Sequence, residues 1–320
     1  MSAVDCPLCG GATTEAFVVG DRNRGIGTER FAYRRCADCR SYHVADPPAD
    51  LGRYYPEEYY GLPGVDELDR YAEAEKPKIE LLRPFARRGS LADVGAGLGT
   101  FARAAANAGY DVTAIEMDGR CCRYLEEVVG VHTIQSDRPD EALATLRPME
   151  TITLWHVLEH LPNPWVVLEA AADRLEPGGV LLVATPNPDS LQLRILRTRW
   201  AHIDAPRHLF LISFAALRDR AAELGLVPAL VTTSDQAGRQ CNRFAWEYGL
   251  RHRPSEEPMS ARGRRIAVWR SDIARFITAA LGPLEHRGMN GAAYTAVFVK
   301  SDSAAQNQST TNHAVDAACP

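Results

Sequence analysis

Two pairs of cysteines, Cys6/Cys9 and Cys36/Cys39, each in C-x-x-C spacing, are separated by residues 10–35. In a reducing compartment such pairs read as a metal site rather than a disulfide framework. Four thiolates suit tetrahedral Zn²⁺, and Gly10 beside the first pair lets backbone amides turn toward sulfur. With every ligand position filled by protein, the metal is expected to be structural and to take no part in chemistry. The interval is longer than the ~15–20 residues usual between knuckles. A hairpin of residues 15–20 with 30–35 would take up the excess. Cys121, Cys122, Cys241 and Cys319 lie apart from these pairs, and the first two fall on an expected helix and read as packing.

A second constellation binds rather than ligates. The apolar run Leu91–Val94 contains Asp93 and leads into Gly95, Gly97 and Gly99, and a helix-forming run follows from Phe101. Glycines there let backbone approach a ligand closely, and the first turn of the helix offers unpaired N–H groups to an anionic group. A bare strand-to-helix turn is the alternative. A nicotinamide fingerprint, G-x-G-x-x-G, would need glycine at 100, where Thr100 stands. Glu116 closes the next strand-like run, Asp111–Glu116, and a carboxylate at such a strand end can accept both ribose hydroxyls of a nucleoside. A third set consists of bases: His156, Glu159 and His160 after one strand, then His202, Arg207 and His208 after the next. Open α/β sheets bind ligands outside the carboxyl ends of their strands, where these residues fall. Arg207 suits a phosphate or carboxylate, or else pairs with a local acid.

Positioning these groups requires an ordered set of elements. Residues 1–46 are expected to form the zinc ribbon. Residues 47–88 form an aromatic and helical connector, opening at Pro47-Pro48 and dense in tyrosine from Tyr54 to Tyr60. Those tyrosines either pack the ribbon onto the main domain or roof the pocket. Residues 89–235 alternate strand and helix, which implies a parallel sheet covered on both faces. Residues 236–290 break the alternation, with Ile266, Val268, Trp269, Ile273, Phe276, Ile277 and Leu281 near helical spacing. They read as a helical insertion, a lid or the surface of a homodimer, before a final strand at 292–300. The 301–320 segment has the composition of a disordered tail.

Taken in order, these segments resemble the class I S-adenosylmethionine-dependent methyltransferases of the small-molecule type. Asp93-x-Gly95-x-Gly97-x-Gly99 resembles their motif I. Thr151–Pro164, with Trp155-His156-Val157-Leu158-Glu159-His160, resembles their fourth-strand segment. Leu175–Asn187, with Pro177-Gly178-Gly179, resembles the turn into their fifth strand, and Arg207-His208-Leu209-Phe210 resembles the approach to the sixth. The likeness implies a Rossmann-like seven-stranded α/β sheet with an antiparallel last strand, here carrying the ribbon and the insertion within a domain spanning 89–300. It implies S-adenosylmethionine as cofactor, with Asp93, Gly95, Gly97 and Gly99 on the methionine side and Glu116 on the ribose. Asp137 would meet the adenine amine, and Trp155 and His156 would lie near the sulfonium. In the similar ubiquinone-pathway O-methyltransferases an E-x-x-E-H segment can hold a cation. Here His156 replaces the first acid, so His160 reads as a base or a substrate-orienting group, with a His/Glu/His cation set as the alternative. His156, His160 and His208 are the expected catalytic residues. The acceptor is expected to be a small molecule, a sugar or secondary-metabolite intermediate, with O-methylation ahead of C-methylation.

Composition narrows the classes. Hydrophobic residues make up 46% and charged residues 24%, enough for an ordinary globular core. Net charge is −5 and no run of Lys or Arg dominates, so neither nucleic acid nor a membrane surface is an expected partner. No stretch of ~18 apolar residues is present to span a bilayer, and no N-terminal apolar run resembles a signal peptide, so a cytoplasmic protein is expected. An RNA methyltransferase whose ribbon grips nucleic acid, a cofactor-binding scaffold without turnover, and a nicotinamide dehydrogenase remain the competing classes.

Overall fold

The computed structural model describes residues 5–56, 60–250 and 276–301. The N-terminal module is an antiparallel hairpin of β1 (Thr13–Gly20) and β2 (Arg30–Cys36), with Glu15 opposite Arg34 and Gly20 opposite Arg30, followed by β3 (Tyr42–Val44). Helices α1 (Val65–Ala74) and α2 (Lys76–Leu82) then lead into the alternating region. That region runs β4 (Gly89–Val94), α3 (Thr100–Asn107), β5 (Tyr110–Glu116), α4 (Gly119–Tyr124), β6 (His132–Gln135), α5 (Pro139–Thr145) and β7 (Met149–Trp155). It continues through α6 (Pro164–Arg174), β8 (Leu175–Pro186), α7 (Leu191–Leu196), β9 (Phe210–Leu211), α8 (Phe214–Glu223) and β10 (Leu226–Thr232). Helix α9 (Gln236–Leu250), a helix over 276–285 and β11 (Ala293–Lys300) complete the described chain. Ile266, Val268, Trp269 and Ile273, and all of the C-terminal tail beyond 301, lie outside the described residues.

Among the described residues the main sheet has seven strands in the order β10-β11-β8-β7-β4-β5-β6. Strands β4 to β8 pair in parallel, and β11 runs antiparallel to both β8 and β10. The expected Rossmann-like architecture with an antiparallel last strand is the one observed. Alternation along each strand divides its side chains between the two faces. Leu181 and Val183 enter the core under α5, α6 and α8, whereas Val180 and Leu182 enter the core under α1, α2 and α3. The parallel register aligns Val94, Ile115 and Leu154, so the carboxyl ends of β4, β5 and β7 open on one edge. No helix among the described residues is long and apolar enough to cross a membrane.

The cysteine module is stitched into this frame. Strand β3 pairs with β9, Tyr42 opposite Leu211 and His43 opposite Phe210, so the small sheet takes its fourth strand from the far half of the chain. Tyr33 is fully buried, and its hydroxyl donates to the His208 carbonyl at 2.7 Å. Ser213 Oγ donates to the Cys39 carbonyl, and Trp165 Nε1 to the Leu8 carbonyl. At the centre lies Arg207, with no exposed surface. Its Nη2 is 2.7 Å from Asp21 of the module and 2.7 Å from Asp204. The sequence left Arg207 open to a ligand phosphate; the structure commits it to these two carboxylates. Removing one member of a buried ion pair strands the other charges away from water, at about 3–5 kcal/mol. Arg207→Met is therefore expected to lower the unfolding free energy by about that amount, and Arg207→Lys to recover little, since an ammonium cannot fork to two acids. Denaturant unfolding checks this, and an unchanged midpoint would refute it.

Candidate functional site

The glycine turn has the backbone its spacing implied. Gly95, Gly97 and Gly99 all have positive φ, at 70°, 53° and 70°. A Cβ on Gly95 would stand 2.6 Å from Val157, and one on Gly99 would stand 2.6 Å from Leu125, so both backbone conformation and space exclude a side chain. Gly99 caps α3 in the left-handed region. Glu116 is buried at the end of β5. Its Oε2 accepts the Gly97 N–H at 2.8 Å, and its Oε1 accepts the N–H groups of Met117 and Asp118. This brings two of the expected cofactor positions into direct contact. Asp93 is buried beneath the turn and accepts from Thr153 Oγ1 at 2.8 Å. Burial pushes its carboxyl up to about 7, against that hydrogen bond. Trp155 packs on Phe101, and its Nε1 is buried with no hydrogen-bond partner among the described residues. Asp137 is exposed beyond β6.

The histidines gather at the same edge. His160 and His208 meet edge to face with ring centroids 4.6 Å apart. His160 Nδ1 lies 3.0 Å from the Tyr55 hydroxyl and 3.1 Å from the Arg207 carbonyl. His208 Nδ1 donates to the His202 carbonyl at 2.8 Å. His156 stands apart from that pair and faces Glu159, Nδ1 to Oε1 at 3.2 Å. Glu159 has no exposed surface, and its Oε2 accepts from Thr185 Oγ1 at 3.0 Å. Burial alone would raise Glu159, but the hydrogen bond and charge of His156, with His160 and His208 behind it, hold it at about 2. A carboxylate oxygen of Glu159 and one ring nitrogen each of His160 and His208 lie within 4.8 Å of one another. Each Glu159 oxygen accepts one hydrogen bond, so the carboxylate ties the His156 segment to β8 through Thr185.

Tyr55, Thr153, Thr185 and Asp204 carried no signal of their own in the sequence. Tyr55 lay within the tyrosine-rich connector, whose side chains point to different parts of the fold. Tyr54 is buried and packs edge to face on Phe31 of the module, whereas Tyr55 reaches His160. Tyr60 comes to the glycine turn, where a Cβ on Gly97 would meet it at 3.5 Å.

The four module cysteines are free thiols whose ligand atoms lie within 4.8 Å of one another. Cys6 Sγ is 3.8 Å from Cys39 Sγ, and Cys9 Sγ is 3.5 Å from Cys36 Sγ. These distances are far beyond a disulfide and close to the ~3.8 Å that ~2.3 Å bonds to a tetrahedral zinc would set. Cys121 and Cys122 are buried, and burial lifts their thiols to about 12 and about 11, as packing residues require.

With this geometry in view, the family relations are clear. A family model described as a methyltransferase domain matches residues 67–230, and the chain belongs to that family, with the class I architecture. It is 34% identical over 104 residues to the ubiquinone biosynthesis O-methyltransferase of Xanthomonas campestris, covering 30% of this chain and 42% of that protein. It is 32% identical over 127 residues to the protein of the same description from Albidiferax ferrireducens, covering 36% and 49%. The chain thus spans less than half the length of these curated relatives. A solved S-adenosylmethionine-dependent methyltransferase from Archaeoglobus fulgidus superposes with a TM-score of 0.49 at 16% identity, over 72% of this chain and 94% of that one.

The titration states give a signed prediction. Burial holds His160 and His202 at about 4, His208 adding to the effect at His160. Below the ordinary histidine value of 6.5 the unfolded chain takes up protons that these two rings refuse, so stability falls as pH drops from 6.5 toward 4. Asp93, raised to about 7, acts in the opposite sense across the same window. Each histidine contributes up to about 1.4 kcal/mol per pH unit. Replacing both with Gln is expected to flatten the acid limb of a calorimetric stability profile; parallel profiles would contradict these assignments.

Proposed function

We propose that the protein transfers a methyl group from S-adenosylmethionine to a small-molecule acceptor, with oxygen as the favoured attacking atom. The observation that carries this reading is a glycine cradle closed by the Glu116 carboxylate at the carboxyl end of the sheet, the end after which His160 follows with its Nδ1 held by Tyr55 and the Arg207 carbonyl. The residues present suit the cofactor. Three glycines hold left-handed backbone, two of them against close packing, a carboxylate turns into the cradle, and Trp155 Nε1 is buried without a partner among the described residues. Asp93, Gly95, Gly97 and Gly99 would hold the methionine end, Glu116 the ribose, Asp137 the adenine amine, and Trp155 with His156 the region of the sulfonium.

When bound, S-adenosylmethionine supplies a methyl carbon that is already electrophilic, so the protein has chiefly to align the acceptor and exclude water. His160 takes the acceptor's proton. It is suited to this because burial keeps it neutral and because Tyr55 and the Arg207 carbonyl fix its Nδ1 side. His208 borders the same space, and His156 holds Glu159 ionised beneath it. Oxygen is favoured by the named activity of the curated relatives, and a sugar or secondary-metabolite intermediate is the acceptor class we favour. We further propose that Cys6, Cys9, Cys36 and Cys39 hold one structural zinc that keeps the module folded against the His208 segment.

Calorimetry with S-adenosylhomocysteine is expected to show binding, and Glu116→Gln to weaken it at least about tenfold, as expected for hydrogen bonds to a charged group. Absence of heat with folded protein would end the methyl-donor reading. Incubation with methyl-labelled cofactor and cell extract, followed by isolation of the labelled product, identifies the acceptor. Metal analysis is expected to give about one zinc per chain, lost with Cys36→Ser and Cys39→Ser together with cooperative unfolding. A fully folded, metal-free preparation would contradict the zinc assignment.

A further inference from the structure

The helix over 276–285 is apolar on both its inner and its outer side. Ile277, Leu281 and Glu285, spaced one helical turn apart, face inward. The two apolar residues pack on the cluster that holds Leu193, Leu196 and Trp246. Glu285 accepts from Gln192 Nε2 at 2.6 Å and from Trp246 Nε1 at 2.9 Å. The helix is thereby seated on both α7 and α9. Phe276, Ala279, Ala280, Pro283 and Leu284 form the opposite stripe, and every one is exposed, Phe276 at 73% and Leu284 at 45%. A helix apolar all round belongs in a core, so this outer stripe calls for a partner.

The charge around it has one sign. The segments that build this layer, 191–199, 236–249 and 276–287, contain six arginines, no lysine and two acids. One acid, Glu247, is held by Arg243 at 2.9 Å, and the other, Glu285, is buried. Arg194, Arg197, Arg199, Arg239 and Arg287 are exposed, and none forms an ion pair among the described residues. Arg194 Nη2 lies 2.6 Å from Asn290 Oδ1, and Asn290 Nδ2 donates to the Leu284 carbonyl, so a cation stands beside the end of the apolar stripe. The net charge of −5, which spoke against a membrane partner, averages over this cationic face. Helix α9 also reaches the candidate site, where Cys241 Sγ lies 4.0 Å from His156 Nε2.

We propose that this face docks on an anionic lipid bilayer, with the outer stripe of 276–285 entering the headgroup boundary and the arginines meeting lipid phosphates. Apolar stripe and charge select that partner together. A nucleic acid answers the charge but offers the stripe no apolar surface. A second copy related by a two-fold axis covers the stripe but sets arginine against arginine. An anionic membrane surface accommodates both, burying the apolar side chains at the acyl boundary and attracting the cations. The face is separate from the residues that would hold the methyl donor, so the inference stands or falls apart from the methyl-transfer reading.

The test is co-sedimentation of full-length protein with vesicles of phosphatidylcholine alone or with about 40% phosphatidylglycerol. At low salt the anionic vesicles are expected to carry down at least about tenfold more protein, and about 500 mM salt to remove most of the difference. Phe276→Ser with Leu284→Ser is expected to lower binding to anionic vesicles at least about fivefold, and Arg197→Glu with Arg199→Glu to do the same. All four side chains are exposed, so these changes leave the core intact. Arg70→Glu, at an exposed arginine on α1, is expected to change nothing. Equal sedimentation with the two vesicle types overturns the proposal, and the wild-type protein alone decides that point. Binding that both pairs of substitutions leave intact, or that Arg70→Glu lowers equally, overturns it as well. So does a dimer in sedimentation velocity that Phe276→Ser disperses, or tighter binding to RNA than to the anionic vesicles.

Discussion

The buried Arg207 guanidinium, gripped by Asp21 and Asp204, is the constraint on which the site's geometry rests. A desolvated cation tolerates neither the loss nor a large displacement of its carboxylates. Asp21 belongs to the turn after β1, and Asp204 belongs to the segment that carries the histidines. The same residue supplies the carbonyl that receives His160, and the residue after it is His208. The charge pairing therefore does more than join two parts of the chain: it sets the height of the histidine pair above the sheet edge. Asn23, bonded to the Ala201 carbonyl and to Asp204, reinforces the grip from the same turn.

Environment sorts five chemically identical side chains into different tasks. His160 and His202 are held below their ordinary value by burial, whereas His156, against burial, is raised by Cys241 and by Glu159, a carboxylate with no exposed surface. His208 and His43 are buried, and each places its Nδ1 by a backbone carbonyl. A neutral imidazole and a charged one stand within the same cluster, which a single averaged environment does not allow. The left-handed backbone at His156, worth about 1–3 kcal/mol of strain, persists because Glu159 and the Ala184 carbonyl fix the residue from both sides.

Much of this was legible in the residues alone. The Gly95-Gly97-Gly99 spacing, the terminal acid Glu116 and the alternation of apolar runs announce themselves locally, because each depends on near neighbours in sequence. The knuckle cysteines do so as well, through their fixed spacing. What stayed hidden depends on distant partners. Arg207 and Asp21 are separated by most of the main sheet, so nothing near either one names the other. Strand β9 is two residues long and fully buried, too short to show any period. Cys241 lies on a polar helix, where only the fold reveals the imidazole across from it. Tyr55 was one tyrosine among several until its hydroxyl met His160.

The pairing of β3 with β9 bears on how the nascent chain is made. The cysteine hairpin is synthesised well before the strand that completes its sheet, Phe210–Leu211. Through that interval β3 presents a raw edge, the feature by which unfinished chains recruit one another. Its three-residue length limits the hazard, since so short an edge offers little to a passing strand.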